Sequence, residues 1–296
     1  MRTLTYTVPP EKAGRKVKSI LQYQLCIPPS MIARVKLRET GICLNGLRCR
    51  TTDTVRAGDT VSAEVGDVPC ETGIVPIPYP LEIVYEDADL LVVDKPAGIA
   101  THGRAEWGDA TVAAALAAVY GTDRAFHPVT RLDRGTSGLL VAAKSGYAHE
   151  RLRRILHTED FRREYLALVD GVPPAQSGSI TLPLKKDAAA KNRFCAAPDG
   201  LAARTDYAVL ETRGDQSLLR LRLYTGRTHQ IRVHLAALGC PVSGDRVYGT
   251  AVPALDRPAL HSAFLHLKQP ITGAVVDLES PLPEDMEELW RSTKSK

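Results

Sequence analysis

Aromatic residues are scarce in this chain. Four Phe, two Trp and ten Tyr make up 5% of 296 residues. A core must therefore be built mainly from aliphatic side chains, and a ring set inside a polar motif stands out. Cysteine occurs six times, at Cys26, Cys43, Cys49, Cys70, Cys195 and Cys240, and no two stand at CxxC spacing. That argues against a zinc ribbon or a redox pair; the thiols read as reduced, in a cytosolic protein. Long hydrophobic runs are missing as well. No stretch approaches the roughly 20 apolar residues of a membrane span, and Met1-Arg2-Thr3-Leu4 opens no apolar signal region. The expectation is a cytoplasmic protein without a membrane partner. Three catalytic motifs are also absent. His229 and His234 are five apart and form no HExxH; "GLLVAAKSG" lacks the glycine before Lys144-Ser145 that a phosphate loop needs; and Gly135-Thr136-Ser137-Gly138 does not match GxSxG. His102, His127, His261 and His266 stand singly and read as structural.

What is present is ordinary in bulk and uneven in placement. The chain is 44% hydrophobic and 24% charged, normal for a soluble globular protein. Its length allows one large domain and a small one. The net charge is +4, yet the first 70 residues hold 11 Lys and Arg against 6 Asp and Glu, a local +5 that leaves about −1 for the rest. A basic module joined to a near-neutral one suggests binding of a polyanion, although a plain basic surface explains the count equally well.

Within that basic stretch, 13–26 has apolar Val17, Ile20, Leu21 and Leu25 at helical spacing. Pro28-Pro29 interrupts it, and Ser30 can cap a second helix that stops at Gly41. "ICLNGLRCR" reads as two short strands about an Asn45-Gly46 turn, and "TVSAEV" as an alternating strand. The stretches "ETGICLNG" and "VRAGDTVSAEV" resemble the S4 RNA-binding domain, which implies a small α/β module over 1–66. In that family the second helix and the following loop face RNA. Here the matching side chains are Arg34, Lys36, Arg38, Arg48 and Arg50. Residues 67–80, with prolines at 69, 76, 78 and 80, read as a linker.

The large domain, 81–296, mixes strands and helices without strict βαβ alternation, so an α+β fold with a mixed, largely antiparallel sheet and flanking helices is expected. Strand-like segments are "IVYED", "LLVVDK" and "REYLALVDG", with more near 203–210, 217–224, 262–268 and 274–278. Helices are expected at "ATVAAALAAVYG", capped by Asp109, at "GYAHERLRRILHT", over 225–239 and at 284–291.

Two segments carry chemistry. In "RLDRGTSGLLVAAKS", Asp133 stands between Arg131 and Arg134 and just before an apolar run. An arginine beside a carboxylate favours the charged form, which suits a nucleophile or base rather than a general acid. The glycine-containing turn permits close approach of a ligand. A surface ion pair at a turn is the plainer explanation of this motif taken alone. In "TGRTHQIRVHLAALGCPVSGD", Arg227, His229, Gln230, Arg232 and His234 gather donors suited to phosphate or carboxylate recognition, and an arginine there can hold Asp133.

Together "RLDRGTSGLLVAAKS", "REYLALVDG", "LYTGRTHQIRVHLAALGCPVSGDRVYG" and "LLVVDKPAGIATH" resemble the RluA family of pseudouridine synthases over essentially the whole chain. The S4-like module in front is similar to that of members acting on large-subunit ribosomal RNA. The resemblance implies an isomerase (an intramolecular transferase) that breaks the N1–C1′ bond of uridine, turns the base and rejoins it through C5, with no cofactor or metal. It implies Asp133 as the catalytic carboxylate, by attack on C1′ or removal of the 2′ proton, with Arg232 as its ion-pair partner. Tyr165 would stack on uracil and assist loss of the C5 proton, although a strand tyrosine is otherwise a core residue. Arg131 would handle displaced nucleotides once the base is extruded, and Arg227 and His229 would contact RNA. The family usually has His-Arg-Leu-Asp; here Thr130 precedes Arg131. The partner is RNA, with ribosomal favoured over transfer RNA, and the chain reads as a monomer. Two other readings stay open: a noncatalytic RNA-binding assembly factor, and a nucleosidase using Asp245 as a second carboxylate.

Overall fold

The computed structural model describes residues 2–67, 72–103, 110–190 and 192–293. Asp109 and part of the Pro-rich segment, 68–71, lie outside the described residues. The chain begins with β1 (Arg2–Thr7), α1 (Val17–Tyr23), α2 (Pro29–Val35), β2 (Ile42–Leu44), β3 (Leu47–Arg48) and β4 (Thr60–Val65). These strands form a four-stranded sheet in the order β1-β4-β2-β3. The alternation in TVSAEV places Val61, Ala63 and Val65 inward, against Val17, Ile20, Leu21, Met31 and Ile32 of the two helices. Asn45 and Gly46 both have positive φ, 52° and 80°, as a two-residue hairpin turn requires. Both helices are shorter than the apolar spacing suggests. The second ends at Val35 because the chain folds back on itself: a side chain at Gly41 would meet the Val35 carbonyl oxygen at 1.9 Å. Strand β1 carries no strong pattern in the sequence and is ordered by pairing with β4 along its whole length.

The larger part comprises β5 (Glu82–Glu86), β6 (Leu90–Lys95), α3 (Val112–Tyr120), β7 (His127–Pro128), β8 (Ser137–Ala143), α4 (Gly146–Ile155), β9 (Phe161–Asp170), β10 (Ser177–Ile180), β11 (Leu184–Lys186), β12 (Phe194–Ala196), β13 (Thr205–Arg213), β14 (Gln216–Leu223), α5 (Gln230–Ala237), β15 (Leu260–Lys268), β16 (Val275–Glu279) and α6 (Glu284–Ser292). Ten of the strands form one sheet whose main path is β10-β13-β14-β9-β15-β8-β6-β5. Every pairing in it is antiparallel except β15 with β8. The fold is therefore α+β, with a largely antiparallel sheet.

Strand β8 is buried at all seven positions, which accounts for its unbroken apolar run. Its residues alternate between two cores. Leu140 and Ala142 join Leu91, Val93 and Tyr165 on one face. Leu139, Val141 and Ala143 join Leu90, Val92 and helix α4 on the other. The first helix of this part starts at Val112, capped by the Thr111 hydroxyl, which accepts from the Ala114 amide. The Pro-rich segment runs against α3, with the Ile77 amide donating to the Ala114 carbonyl. Tyr147 of α4 is buried against the first sheet's core and donates its hydroxyl to the Leu25 carbonyl.

Candidate active site

Two loops meet at the end of the central strands. The loop after β6, 96–101, interlocks with the loop before β8, 129–136. The Thr101 hydroxyl accepts from the Leu132 amide at 3.2 Å and donates to the Leu132 carbonyl at 3.0 Å. The Gly98 amide donates to the Arg134 carbonyl. Thr130 is 4% exposed, and its hydroxyl accepts from the Val141 amide of β8. Leu132 is buried in the core. The backbone on either side of Asp133 is thus held, while its carboxylate faces an open cleft of about 950 Å³.

The partner the structure places on Asp133 comes from helix α5. Arg232 donates from Nη1 to Asp133 Oδ2 at 3.1 Å. Its other nitrogens, Nε and Nη2, donate to the two oxygens of Asp245 at 2.6 and 2.9 Å. Asp245 is fully buried and also accepts from the Val247 and Tyr248 amides. Burial alone would weaken the charge on Arg232; Asp245 and Asp133 outweigh it and push its pKa above the ordinary value. The bidentate pair fixes the plane of the guanidinium, and so fixes which nitrogen reaches Asp133. His229 completes this edge, with Nε2 3.8 Å from Asp133 and Nδ1 bonded to the Tyr248 hydroxyl at 2.9 Å.

Tyr165 of β9 borders the cleft beside Asp133 and is 3% exposed. Burial pushes its phenol upward, and Arg163 and Ser262 oppose that. The arrangement presents an oriented carboxylate, a guanidinium that cannot swing away and a ring at the floor of one cleft.

Residues 89–237 match the family model for RNA pseudouridylate synthase. The uncharacterized RNA pseudouridine synthase YhcT of Bacillus subtilis is 37% identical over 243 residues, covering 80% of each chain. Ribosomal large subunit pseudouridine synthase D of Escherichia coli is 34% identical over 307 residues, covering 97% of this chain and 93% of that one. Among solved structures, human RNA Pseudouridylate Synthase Domain Containing 1 superposes with a TM-score of 0.56 at 28% identity, covering 73% of this chain and 97% of the human one. This chain belongs to the RNA pseudouridine synthase family. It is an isomerase acting on RNA.

The synthase brings together some of the residues singled out in its sequence and separates others. Asp133, Tyr165, Arg232, Arg131, Arg227 and His229 all border the cleft. Gln230 and His234 do not serve as ligand donors. Gln230 accepts from the Thr225 hydroxyl and the Arg227 amide, and His234 bonds Thr205 and the Leu182 carbonyl inside the fold. Those contacts also explain why 225–229 is a turn and not the first turn of the helix: it closes on Gln230, and His229 caps α5 at φ 56°. Gly138 lets protein and not ligand approach, since a side chain there would meet the Ser262 carbonyl at 2.3 Å. Asp245 is no second acid, being buried and committed to Arg232. Arg34, Lys36, Arg48 and Arg50 are exposed on the first sheet's module, with Arg38 half-buried among them and Arg48 donating to the Lys36 carbonyl.

Lys95 escaped the sequence reading. It is wholly buried and donates to the carbonyls of Pro96, Ile99 and Arg134, tying both loops together. Burial pulls its pKa down to about 8, with Asp133 opposing. The available signal was a lysine that, after Asp94, ends a strand opening with four apolar residues.

Proposed function

We propose that this synthase isomerises uridine to pseudouridine in structured RNA, large-subunit ribosomal RNA foremost, with Asp133 as the catalytic carboxylate. The observation that carries the assignment is the 3.1 Å bond from Arg232 to Asp133, with Tyr165 beside it in the same cleft. Attack on C1′ and removal of the 2′ proton both require an aimed carboxylate, and the anchored guanidinium holds Asp133 in place without reorganisation. The uracil freed at N1 turns against the Tyr165 ring and bonds C1′ through C5; the C5 proton then leaves to solvent with the help of the tyrosine hydroxyl, and N1 takes up a proton from solvent. Arg131, exposed at the mouth, stacks on nucleotides displaced when the base is extruded. Arg227 and His229 line the way in. The ribosomal target rests on the relationship to the Escherichia coli enzyme, whose name states that substrate.

The module at 1–66 is proposed as an S4-like RNA-binding unit that docks the RNA through Arg34, Lys36, Arg38, Arg48 and Arg50. It precedes a linker at 67–80 and a catalytic domain at 81–296. The protein is proposed to act as a cytoplasmic monomer.

The test is a carbodiimide-based pseudouridine map of total RNA from cells carrying either the wild-type protein or only Asp133→Asn. Defined sites are expected to vanish in the variant. Unchanged sites with both proteins expressed would favour the assembly-factor reading instead.

A further inference from the structure

Helix α4 joins the two parts of this chain end to end. Tyr147, in its first turn, is 2% exposed and shares one apolar cluster with Ile20, Leu21, Met31 and Ile32 of the N-terminal module. The Tyr147 hydroxyl donates to the Leu25 carbonyl at 3.1 Å and accepts from Arg151 at 3.0 Å, and Arg151 also donates to the Pro270 carbonyl. Ile271, next to that proline, packs against the module's core and against the core beneath α4 alike. The rim of this contact is polar. Asp67 accepts from the Gly146 amide at 3.0 Å and bonds His127 of β7 at 2.5 Å, and Arg2 donates to Asp89 at 2.9 Å. The charge of Arg34 on α2 also reaches Asp67, so one proposed RNA contact of the module stands at the N-terminal end of α4. The other end of the helix leads into Leu156 and His157, which line the cleft that holds Asp133.

We propose that α4 is a spacer of fixed length between the RNA-docking module and the cleft, and that Tyr147, Asp67 and Arg2 are positioning residues through which the synthase chooses uridines by their distance from the docked RNA. The inference rests on the isomerase and RNA-docking readings above. Units joined only by a linker ordinarily move against each other, whereas an apolar anchor ringed by paired charges holds them at one separation. The ten residues of α4 set about 15 Å between the anchor and the cleft wall, and a helix does not stretch as a loose tether does. Two sites at one separation act together only on an RNA that presents its docking segment and its uridine at that separation; a tether would let the cleft reach many uridines.

The experiment compares the full-length wild type with a double variant, Arg2→Glu with Asp67→Lys. The new glutamate faces Asp89 and the new lysine faces His127 and Arg34, so the rim repels while the apolar clusters keep every side chain. Small-angle X-ray scattering reads whether the module is docked. Steady-state kinetics and pseudouridine mapping use a large-subunit ribosomal RNA transcript and a short hairpin cut from it around one modified uridine, which reaches the cleft alone. The double variant is expected to have a larger radius of gyration, with kcat unchanged on both RNAs and KM unchanged on the hairpin. On the transcript its KM should rise about tenfold, and pseudouridine should appear at uridines that the wild type leaves alone. A merely structural lesion would instead lower activity on both RNAs together, which overturns the spacer. Wild-type scattering of two loosely tethered units also overturns it, as does an expanded double variant with wild-type KM and site choice on the transcript. No pseudouridine from the wild type on either RNA, with compact scattering retained, overturns the isomerase reading and leaves the docking of the module standing.

Discussion

Asp245 holds Arg232 through two hydrogen bonds of 2.6 and 2.9 Å, and it does so from a position with no solvent exposure. The third nitrogen of the same guanidinium is thereby aimed at Asp133. A fully buried carboxylate thus sets the geometry of the one proposed to meet substrate. Asp245→Asn leaves a buried arginine half-paired and is expected to cost about 3–5 kcal/mol in urea unfolding. Arg232→Lys offers a point charge that cannot serve both carboxylates. It should fold yet lose about 100-fold or more in kcat. Wild-type turnover by Arg232→Lys would count against the positioning argument.

Tyr165 belongs both to the core and to the cleft. Tyr165→Phe preserves the ring and should leave the melting temperature within a few degrees while turnover drops by about 10-fold to 10³-fold. Tyr165→Ala opens a core cavity and should cost about 3–5 kcal/mol in stability. Comparing the two by single-turnover kinetics and calorimetry separates the hydroxyl's role from packing.

Acid should destabilise the fold earlier than carboxylate titration alone predicts. Burial pushes both His234 and His261 below their ordinary pKa of 6.5. Above that value both folded and unfolded chains carry them neutral, and their contribution to stability is complete. As pH falls through 6.5 the unfolded chain takes up protons that the folded chain refuses, so stability declines until the folded pKa values are passed. Unfolding free energies measured from pH 8 to 5 should show this fall, and His234→Asn should flatten it. A flat profile in the wild type would contradict the burial argument.

Gly138 has φ 103° and faces the Ser262 backbone. Gly138→Ala combines a strained φ with a backbone clash, so a loss of at least about 2 kcal/mol is expected. Because the Asp133 loop enters β8 here, activity should fall further than stability does. Chemical denaturation alongside turnover at a temperature where the variant remains folded will show whether the two losses separate.

Much of this architecture was legible in the residues. The alternation of TVSAEV, the Asn45-Gly46 turn and the five-residue apolar run Leu139–Ala143 of β8 each state a local geometry, because period, positive φ and burial on both faces are written in side-chain type. Asp133 also stood out, since a carboxylate crowded by arginines before a buried strand is locally conspicuous. Contacts between distant segments were legible only where a family resemblance supplied them. Asp133 and Arg232 are 99 residues apart, and their pairing was expected from that resemblance, not from spacing or composition near either one. Asp245, in GDRVYG, read as a candidate second carboxylate; only the packing of α5 over the loop shows it buried and paired. The glycine-containing turn looked like room for a ligand, whereas at its Gly138 end β15 fills the space. The turn at 225–229 read as helix because its periodicity is helical, while the Gln230 bonds that break it depend on β13 being alongside. Local conformation follows from each residue's own sterics and hydrophobicity. Which donor meets which acceptor is decided by the ten-stranded sheet, whose non-local pairings bring together groups that the chain keeps far apart.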